Sequence, residues 1–118
     1  MIVKQKKISK PWGHEIIWSH CNKFVGKILC INKGERLSRQ YHIKKEETIL
    51  VLTGTLLLEV GMGETLQQID LKKGQSFHVT PNTIHRFCAV YGDVELAEVS
   101  TPELEDVVRL EDDYSRSE

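Results

Sequence analysis

The fold of this chain is decided by one stretch of sequence, Gly34-Glu-Arg-Leu-Ser-Arg-Gln40-Tyr-His42-Ile-Lys-Lys-Glu-Glu47-Thr-Ile-Leu-Val-Leu-Thr-Gly54. Gln40 and His42 are two residues apart, so on an extended strand their side chains point to the same face. Glu47 then opens an apolar run that ends at Gly54, where the chain can turn into a hairpin. The stretch therefore predicts two strands whose three donor side chains converge on one point.

A fourth donor is expected from elsewhere in the chain. His85 is the natural candidate because it follows a strand-like run and a turn at Pro81. One alternative concerns the carboxylate. Glu46 would replace Glu47 as the donor if the turn were one residue shorter, although the spacing to Gly54 favours Glu47.

The rest of the chain is divided into short runs rich in β-branched and aromatic residues. These runs are separated by Gly, Pro, Asn or Asp, and no convincing 3.6-residue apolar repeat occurs before the tail. The strand-like runs are Ile16–Trp18, Phe24–Ile31, Leu37–His42, Thr48–Thr53, Thr55–Val60, Thr65–Leu71, Ser76–Val79, Arg86–Val90 and Val94–Val99. Regularly spaced short strands predict an all-β sandwich or barrel.

The length of 118 residues predicts one domain, residues 1–118. Residues 1–10 are expected to form a basic N-terminal arm along the surface. Thr101 and Pro102 suit the N-cap and the first position of a short helix, so residues 101–118 predict a C-terminal helix followed by an acidic tail.

Composition excludes several classes of protein. The chain is 40% hydrophobic and 28% charged with a net charge of −1, so neither nucleic acid nor an anionic membrane is an expected partner. No apolar segment approaches the roughly 20 residues that span a bilayer, and the N-terminus lacks a signal-peptide core. We therefore expect a cytoplasmic protein. The three cysteines show no CxxC spacing and are interpreted as free thiols.

Two motifs in this sequence resemble those of a known superfamily. The spacings G-x5-(Q/H)-x-H-x4-E-x6-G, beginning at Gly34, and G-x6-P-x3-H, beginning at Gly74, resemble the motifs of cupins, which are small metal-binding β-barrels of jelly-roll topology. Four further segments resemble type II mannose-6-phosphate isomerases. They are Lys10-Pro-Trp-Gly-His-Glu15, Leu37-Ser-Arg-Gln-Tyr-His42, Pro81-Asn-Thr-Ile-His-Arg86 and the closing segment from Asp106 to Arg116.

The resemblance implies that one divalent metal binds inside the barrel. Its ligands would be Gln40, His42, Glu47 and His85. Two imidazoles, a carboxylate and an amide oxygen form a mixed N/O set that suits zinc, manganese, iron, cobalt or nickel.

The same resemblance implies the interconversion of mannose 6-phosphate and fructose 6-phosphate through an enediol. Lys45 stands where the family carries an arginine and is the candidate catalytic residue. Arg36, Arg86 and Arg109 are the candidate partners of the phosphate of a sugar phosphate substrate.

Two other functions stay open at this point. One is a noncatalytic sugar-binding or sugar-nucleotide-binding cupin, and the other is a different cupin enzyme such as an epimerase or a dioxygenase. We also expect a homodimer, because an N-terminal strand that crossed to a partner would cover an open sheet edge.

Overall fold

Residues 1–116 are described by a computed structural model, which contains eleven β-strands. They are β1 (Lys6–Lys10), β2 (Gly13–His20), β3 (Val25–Ile31), β4 (Arg39–Tyr41), β5 (Glu47–Thr53), β6 (Thr55–Val60), β7 (Gln67–Lys72), β8 (Ser76–Val79), β9 (His85–Cys88), β10 (Val94–Ser100) and β11 (Val108–Glu111). One 3-10 turn lies at Gly63–Thr65. Among the residues described, no helix has the length and apolar character needed to cross a bilayer.

The strands form two sheets. The first has the order β1-β2-β3-β10-β5-β8 and the second has the order β11-β4-β9-β6-β7, and the paired strands run antiparallel. Neighbours such as β3 and β10 are distant in sequence, so the chain crosses repeatedly between the sheets. The prediction of an all-β jelly roll is confirmed.

The space between the sheets is apolar at one end and charged at the other. Apolar inner residues fill the first end, namely Leu29, Ile31, Ile49, Val51, Leu56, Leu58, Phe87, Val94 and Leu96. Further along three of the same strands, Lys27, Glu47 and Glu98 occupy buried inner positions. The antiparallel register places Lys27 beside Glu98, and Ser100 of the same strand beside Glu47, so these charges gather at the second end.

The predicted N-terminal arm is shorter than residues 1–10. Lys6–Lys10 forms β1, which pairs with β2 through the turn at Pro11 and Trp12. Only residues 1–5 remain outside a strand. The arm prediction was therefore wrong for residues 6–10, because backbone pairing to β2 extends the first sheet by one strand.

The predicted C-terminal helix is absent from the described residues 101–116. Residues 101–107 are irregular, and the chain then enters β11 (Val108–Glu111). The hydroxyl that was expected to cap a helix is used elsewhere, since Thr101 Oγ1 accepts a hydrogen bond from the backbone N–H of Glu46. A tertiary hydrogen bond has replaced the local cap. Residues 117 and 118 of the predicted tail lie outside the described residues.

We expect the substitution Gly54→Ala to destabilise the fold. Gly54 has φ of +79°, and an added Cβ would lie 2.3 Å from the carbonyl oxygen of Asp93. The strained conformation costs about 1–3 kcal/mol in the free energy of unfolding, measured by chemical denaturation. Gly92→Ala is the matched control because nothing lies within 4 Å of its added Cβ, and it should change stability by less than about 0.5 kcal/mol. Equal losses in both variants would contradict this account.

Candidate metal centre

Three of the predicted ligands meet at the charged end of the barrel. Glu47 begins β5, His85 begins β9, and His42 directly follows β4. All three side chains are buried, and one ligand atom from each lies within 4.8 Å of the others. We call these residues the His–Glu–His cluster. The fold therefore brings together side chains that are separated by up to 43 residues in the sequence, as the motif spacing predicted.

The carboxylate of the cluster belongs to Glu47 and not to Glu46. The side chain of Glu46 is exposed and pairs with His78 on the outside of the barrel. Adjacent residues of a strand point to opposite faces, so only one of the two can reach the interior. The alternative left open by the sequence is thereby resolved.

Backbone carbonyls set the orientation of both imidazoles. His42 Nδ1 lies 2.6 Å from the carbonyl oxygen of Asp106, and His85 Nδ1 lies 2.8 Å from that of Thr83. A carbonyl oxygen only accepts, so in each ring Nδ1 carries the proton and donates it. In the neutral rings Nε2 then presents a lone pair towards Glu47. This arrangement is the one that metal-binding histidines adopt.

The geometry of the cluster fits a divalent metal ion. Glu47 Oε1 lies 3.7 Å from His42 Nε2 and 3.4 Å from His85 Nε2. Metal–ligand bonds of about 2.0–2.2 Å place neighbouring ligand atoms about 3–3.5 Å apart. Among the described residues, neither Nε2 atom has a hydrogen-bond partner although both are buried. A cation bound between the two Nε2 atoms and the carboxylate would give each of these buried nitrogens a partner.

The surroundings of Glu47 keep it ionised. Burial alone would raise the pKa of its carboxyl group, but hydrogen bonds from His42 and His85 when these rings also carry a proton on Nε2, together with the ammonium of Lys45, hold the pKa well below its ordinary value. The group is therefore a carboxylate over the whole neutral range, which is the form that binds a metal.

Lys45, the predicted catalytic residue, is buried between two carboxylates. Its Nζ lies 3.1 Å from Glu47 Oε2 and 3.2 Å from Glu98 Oε2. Burial opposes the charge, yet Glu98 and Glu47 raise the pKa of Lys45 above its ordinary value. An ammonium that holds its proton this firmly is a poor proton acceptor, so its position suits charge compensation.

Gln40, the fourth predicted ligand, lines the same cavity. It lies in β4 directly opposite His85 of β9. Its side-chain Oε1 accepts a hydrogen bond of 2.6 Å from Ser38 Oγ, which leaves one lone pair on the amide oxygen. Gln40 stays a predicted ligand.

Of the three arginines expected to bind phosphate, only Arg109 lines the cavity. Arg36 forms a bidentate pair with Asp113, and the buried Arg86 donates to Asp113 and to the carbonyl oxygen of Leu37. Arg86 follows His85 on β9 and so points to the opposite face of the sheet. The structure therefore gives Arg36 and Arg86 the role of anchoring the C-terminal part of the chain.

His42 and Glu47 of the cluster line a cavity of about 100 Å³. Several charged side chains that the sequence analysis missed line it, namely Lys10, Glu15, Lys27, Glu98, Asp106 and Arg116. Burial, followed by the charge of Glu47, raises the pKa of Glu98 to about 7. The sequence does contain a signal for two of these residues. Lys27 and Glu98 occupy every-second-residue positions of their strands that otherwise carry apolar, inward-facing side chains.

The turn that carries His42 and Glu47 is held by the C-terminal segment, residues 101–107. Asp106 accepts hydrogen bonds of 2.6–3.0 Å from the backbone N–H groups of Ile43, Lys44 and Lys45. Thr101 accepts the next one, from Glu46. Four consecutive N–H groups are thus satisfied by two side chains, and the carbonyl of Asp106 also orients His42. Asp106 therefore fixes both the turn and one imidazole.

The profile of one protein family, described as mannose-6-phosphate isomerase C-terminal, matches residues 2–112. The chain belongs to this family. No curated protein matches it by sequence. The family match covers all three members of the His–Glu–His cluster. It also covers Asp106 and Thr101, whose hydrogen bonds to the backbone of residues 43–46 we call the clamp.

Solved structures show the same cupin fold. KdgF from Halomonas sp. superposes with a TM-score of 0.71 at 17% identity, covering 85% of this chain and 88% of that one. Streptomyces Pac13, described as a unique nucleoside dehydratase, gives 0.74 at 14% identity over 95% and 89%. CapF from Staphylococcus aureus, a capsular polysaccharide assembling protein, gives 0.74 at 13% identity over 92% of this chain and 34% of its own. At these low identities the superpositions establish the fold alone.

We expect His42→Ala and His85→Ala each to lose bound metal while the protein stays folded. Either change removes one of only two imidazoles from the cluster. Metal content by elemental analysis after dialysis and secondary structure by circular dichroism provide the measurements. His20→Ala, which alters an exposed histidine outside the cluster, is the control. Full metal occupancy in either cluster variant would show that the ligands are misassigned.

We expect Asp106→Ala to weaken metal binding although Asp106 is not a ligand. Loss of its carboxylate frees three backbone N–H groups of the turn, and outer-shell changes of this kind typically cost about 10-fold to 100-fold in metal affinity. Titration calorimetry with Zn²⁺ measures the affinity, and amide hydrogen exchange at residues 43–46 reports the freed turn. Glu105→Ala, one residue away and exposed, is the control. Unchanged affinity and exchange would refute the positioning role.

Proposed function

We propose that this protein is a metal-dependent aldose–ketose isomerase that interconverts a phosphorylated sugar pair such as mannose 6-phosphate and fructose 6-phosphate. The observation that carries the proposal is the buried His–Glu–His cluster opening onto a charged cavity. The family to which the chain belongs supports the choice of substrate.

His42, Glu47 and His85, with Gln40 as the proposed fourth ligand, would hold one divalent ion. Two imidazoles and oxygen donors suit zinc, manganese, iron, cobalt or nickel. When bound, such an ion polarises a substrate carbonyl or hydroxyl oxygen and so lowers the cost of enediolate charge.

Moving a proton between C1 and C2 also requires a side chain that is not a metal ligand. Glu98 meets this requirement by its place in the cavity, next to Lys45 and one side chain away from Glu47. The carboxylate of Asp106 is occupied by three backbone N–H groups and is less suited to the task. Glu98 is therefore the proposed proton-transfer group, and Lys45 the cation that compensates the two carboxylates.

The substrate phosphate is assigned to cations at the cavity wall. Arg109 of β11 and Lys10 of β1 both line the cavity, whereas Arg36 and Arg86 do not. A guanidinium binds phosphate through two parallel hydrogen bonds, which favours Arg109 as the main partner. Of the three arginines that the sequence indicated as phosphate partners, Arg109 alone keeps that role, and Lys10 is added to it.

Proton exchange in heavy water tests the proposed reaction. Metal-loaded protein should exchange the C2 proton of mannose 6-phosphate and a C1 proton of fructose 6-phosphate, followed by NMR with each candidate metal. His42→Ala should abolish exchange, and Glu98→Gln should lower it by about 100-fold or more, since proton-transfer groups contribute about 10²–10⁴-fold. His20→Ala is again the control.

Absence of exchange with every metal, on protein shown to be loaded, would overturn the isomerase proposal. If such protein still bound the sugar phosphates, the noncatalytic sugar-binding function would take its place. Oxygen consumption that depended on iron would instead favour a dioxygenase.

A further inference from the structure

A row of alternating charges crosses the inner face of the first sheet. It begins with Lys10 and continues through Glu15 of β2 and Lys27 of β3. Lys27 Nζ lies 3.2 Å from Glu15 Oε2, and Lys10 Nζ lies 3.6 Å from Glu15 Oε1. All three line the same cavity as His42 and Glu47 of the His–Glu–His cluster.

The row reaches the cluster through Glu98 and Lys45. Lys27 lies opposite Glu98 in the pairing of β3 with β10. Glu98 contacts Lys45, and Lys45 contacts Glu47. The side chain of Lys10 is 29% exposed, whereas those of the other members of the row are 10% exposed or less, down to 2% for Glu47. The charges therefore lead from solvent to the proposed metal.

Packing alone does not favour the buried Glu15–Lys27 pair. Burial of an ion pair costs several kcal/mol in desolvation, and well-packed apolar residues often serve as well or better. Lys27 lies in the same inner phase of β3 as Leu29 and Ile31, which pack as apolar core. The position of Lys27 could therefore carry an apolar side chain, and its charge calls for another explanation.

Neighbouring donors and acceptors on a cavity wall match the chemistry of hydroxyl groups. Each sugar hydroxyl donates one hydrogen bond and accepts others, so it can bridge an ammonium and a carboxylate that lie side by side. Such bonds to charged groups are stronger than those between neutral groups. A polyhydroxylated chain is thus a better occupant of this wall than an apolar ligand.

We propose that Glu15 and Lys27 form a hydroxyl-binding subsite that selects polyhydroxylated ligands and holds the part of the sugar that does not react. This inference rests on the proposed function, because it assigns these residues to the same substrate. It gives Glu15 and Lys27 a role in specificity, separate from metal binding and from proton transfer.

Binding of a substrate analogue that cannot isomerise tests the subsite independently of turnover. The probe is mannitol 1-phosphate, compared with its analogues that lack one hydroxyl at C3 or C4, with titration calorimetry on metal-loaded protein. The double variant Glu15→Leu/Lys27→Met removes both charges together, so neither is left buried alone. We expect its Kd for mannitol 1-phosphate to rise about tenfold or more, and its preference over the deoxy analogues to disappear.

Two further variants keep the test decisive. Glu15→Gln preserves the shape of the side chain and should weaken binding and discrimination in the same direction, which covers a double variant that fails to fold. Lys6→Met alters an exposed lysine on β1 and should bind like the wild type. Metal content is measured in each variant and should equal that of the wild type.

The outcomes separate this inference from the function on which it rests. If the folded variants bind and discriminate like the wild type, the subsite is refuted and the isomerase proposal stands. Failure of metal-loaded wild type to bind mannitol 1-phosphate also refutes the subsite. If the wild type discriminates as expected but no proton exchange occurs, the subsite is supported and the isomerase proposal fails.

Discussion

The ionised carboxylate of Glu47 is the constraint on which the site depends. A buried negative charge is tolerated only when other groups compensate it. Lys45 contributes a cation at 3.1 Å. The Nε2 lone pairs of His42 and His85 face the same carboxylate, so a metal ion held by all three would supply the second positive charge. Each of those imidazoles is fixed in turn by a backbone carbonyl. The arrangement of the charged end of the barrel follows from the need to stabilise this one group.

Strand periodicity explains why much of the fold and cluster could be predicted from the sequence. Side chains two residues apart share a face, so Gln40 and His42 had to lie together, and the Gly-bounded runs gave the strands. The same rule could have corrected one error. Arg86 directly follows His85 on β9, so it could not face the side of the sheet on which His85 meets Glu47. Alternation, applied consistently, excludes it as a phosphate partner.

Contacts between distant segments account for what the sequence did not reveal. Thr101 and Pro102 carry a genuine local signal for a helix, but the hydroxyl of Thr101 bonds to the backbone of Glu46 instead. No periodicity indicates that Asp106 will hold the turn after His42. Lys27 and Glu98 were predictable only in part. A single charged residue among the inward-facing apolar residues of a strand indicates a polar inner position, but the sequence does not show which residue lies next to it.

The clamp between residues 43–46 and residues 101–106 also bears on how the chain folds. Its hydrogen bonds join positions 55 to 63 residues apart, so they form only after a long loop has closed. Such non-local contacts tend to form slowly. While residues 101–106 are undocked, the turn between β4 and β5 lacks the partners of four N–H groups, and Glu47 can stay hydrated. Desolvation of this carboxylate and assembly of the metal pocket are thus complete only after residues 101–106 have docked on the turn.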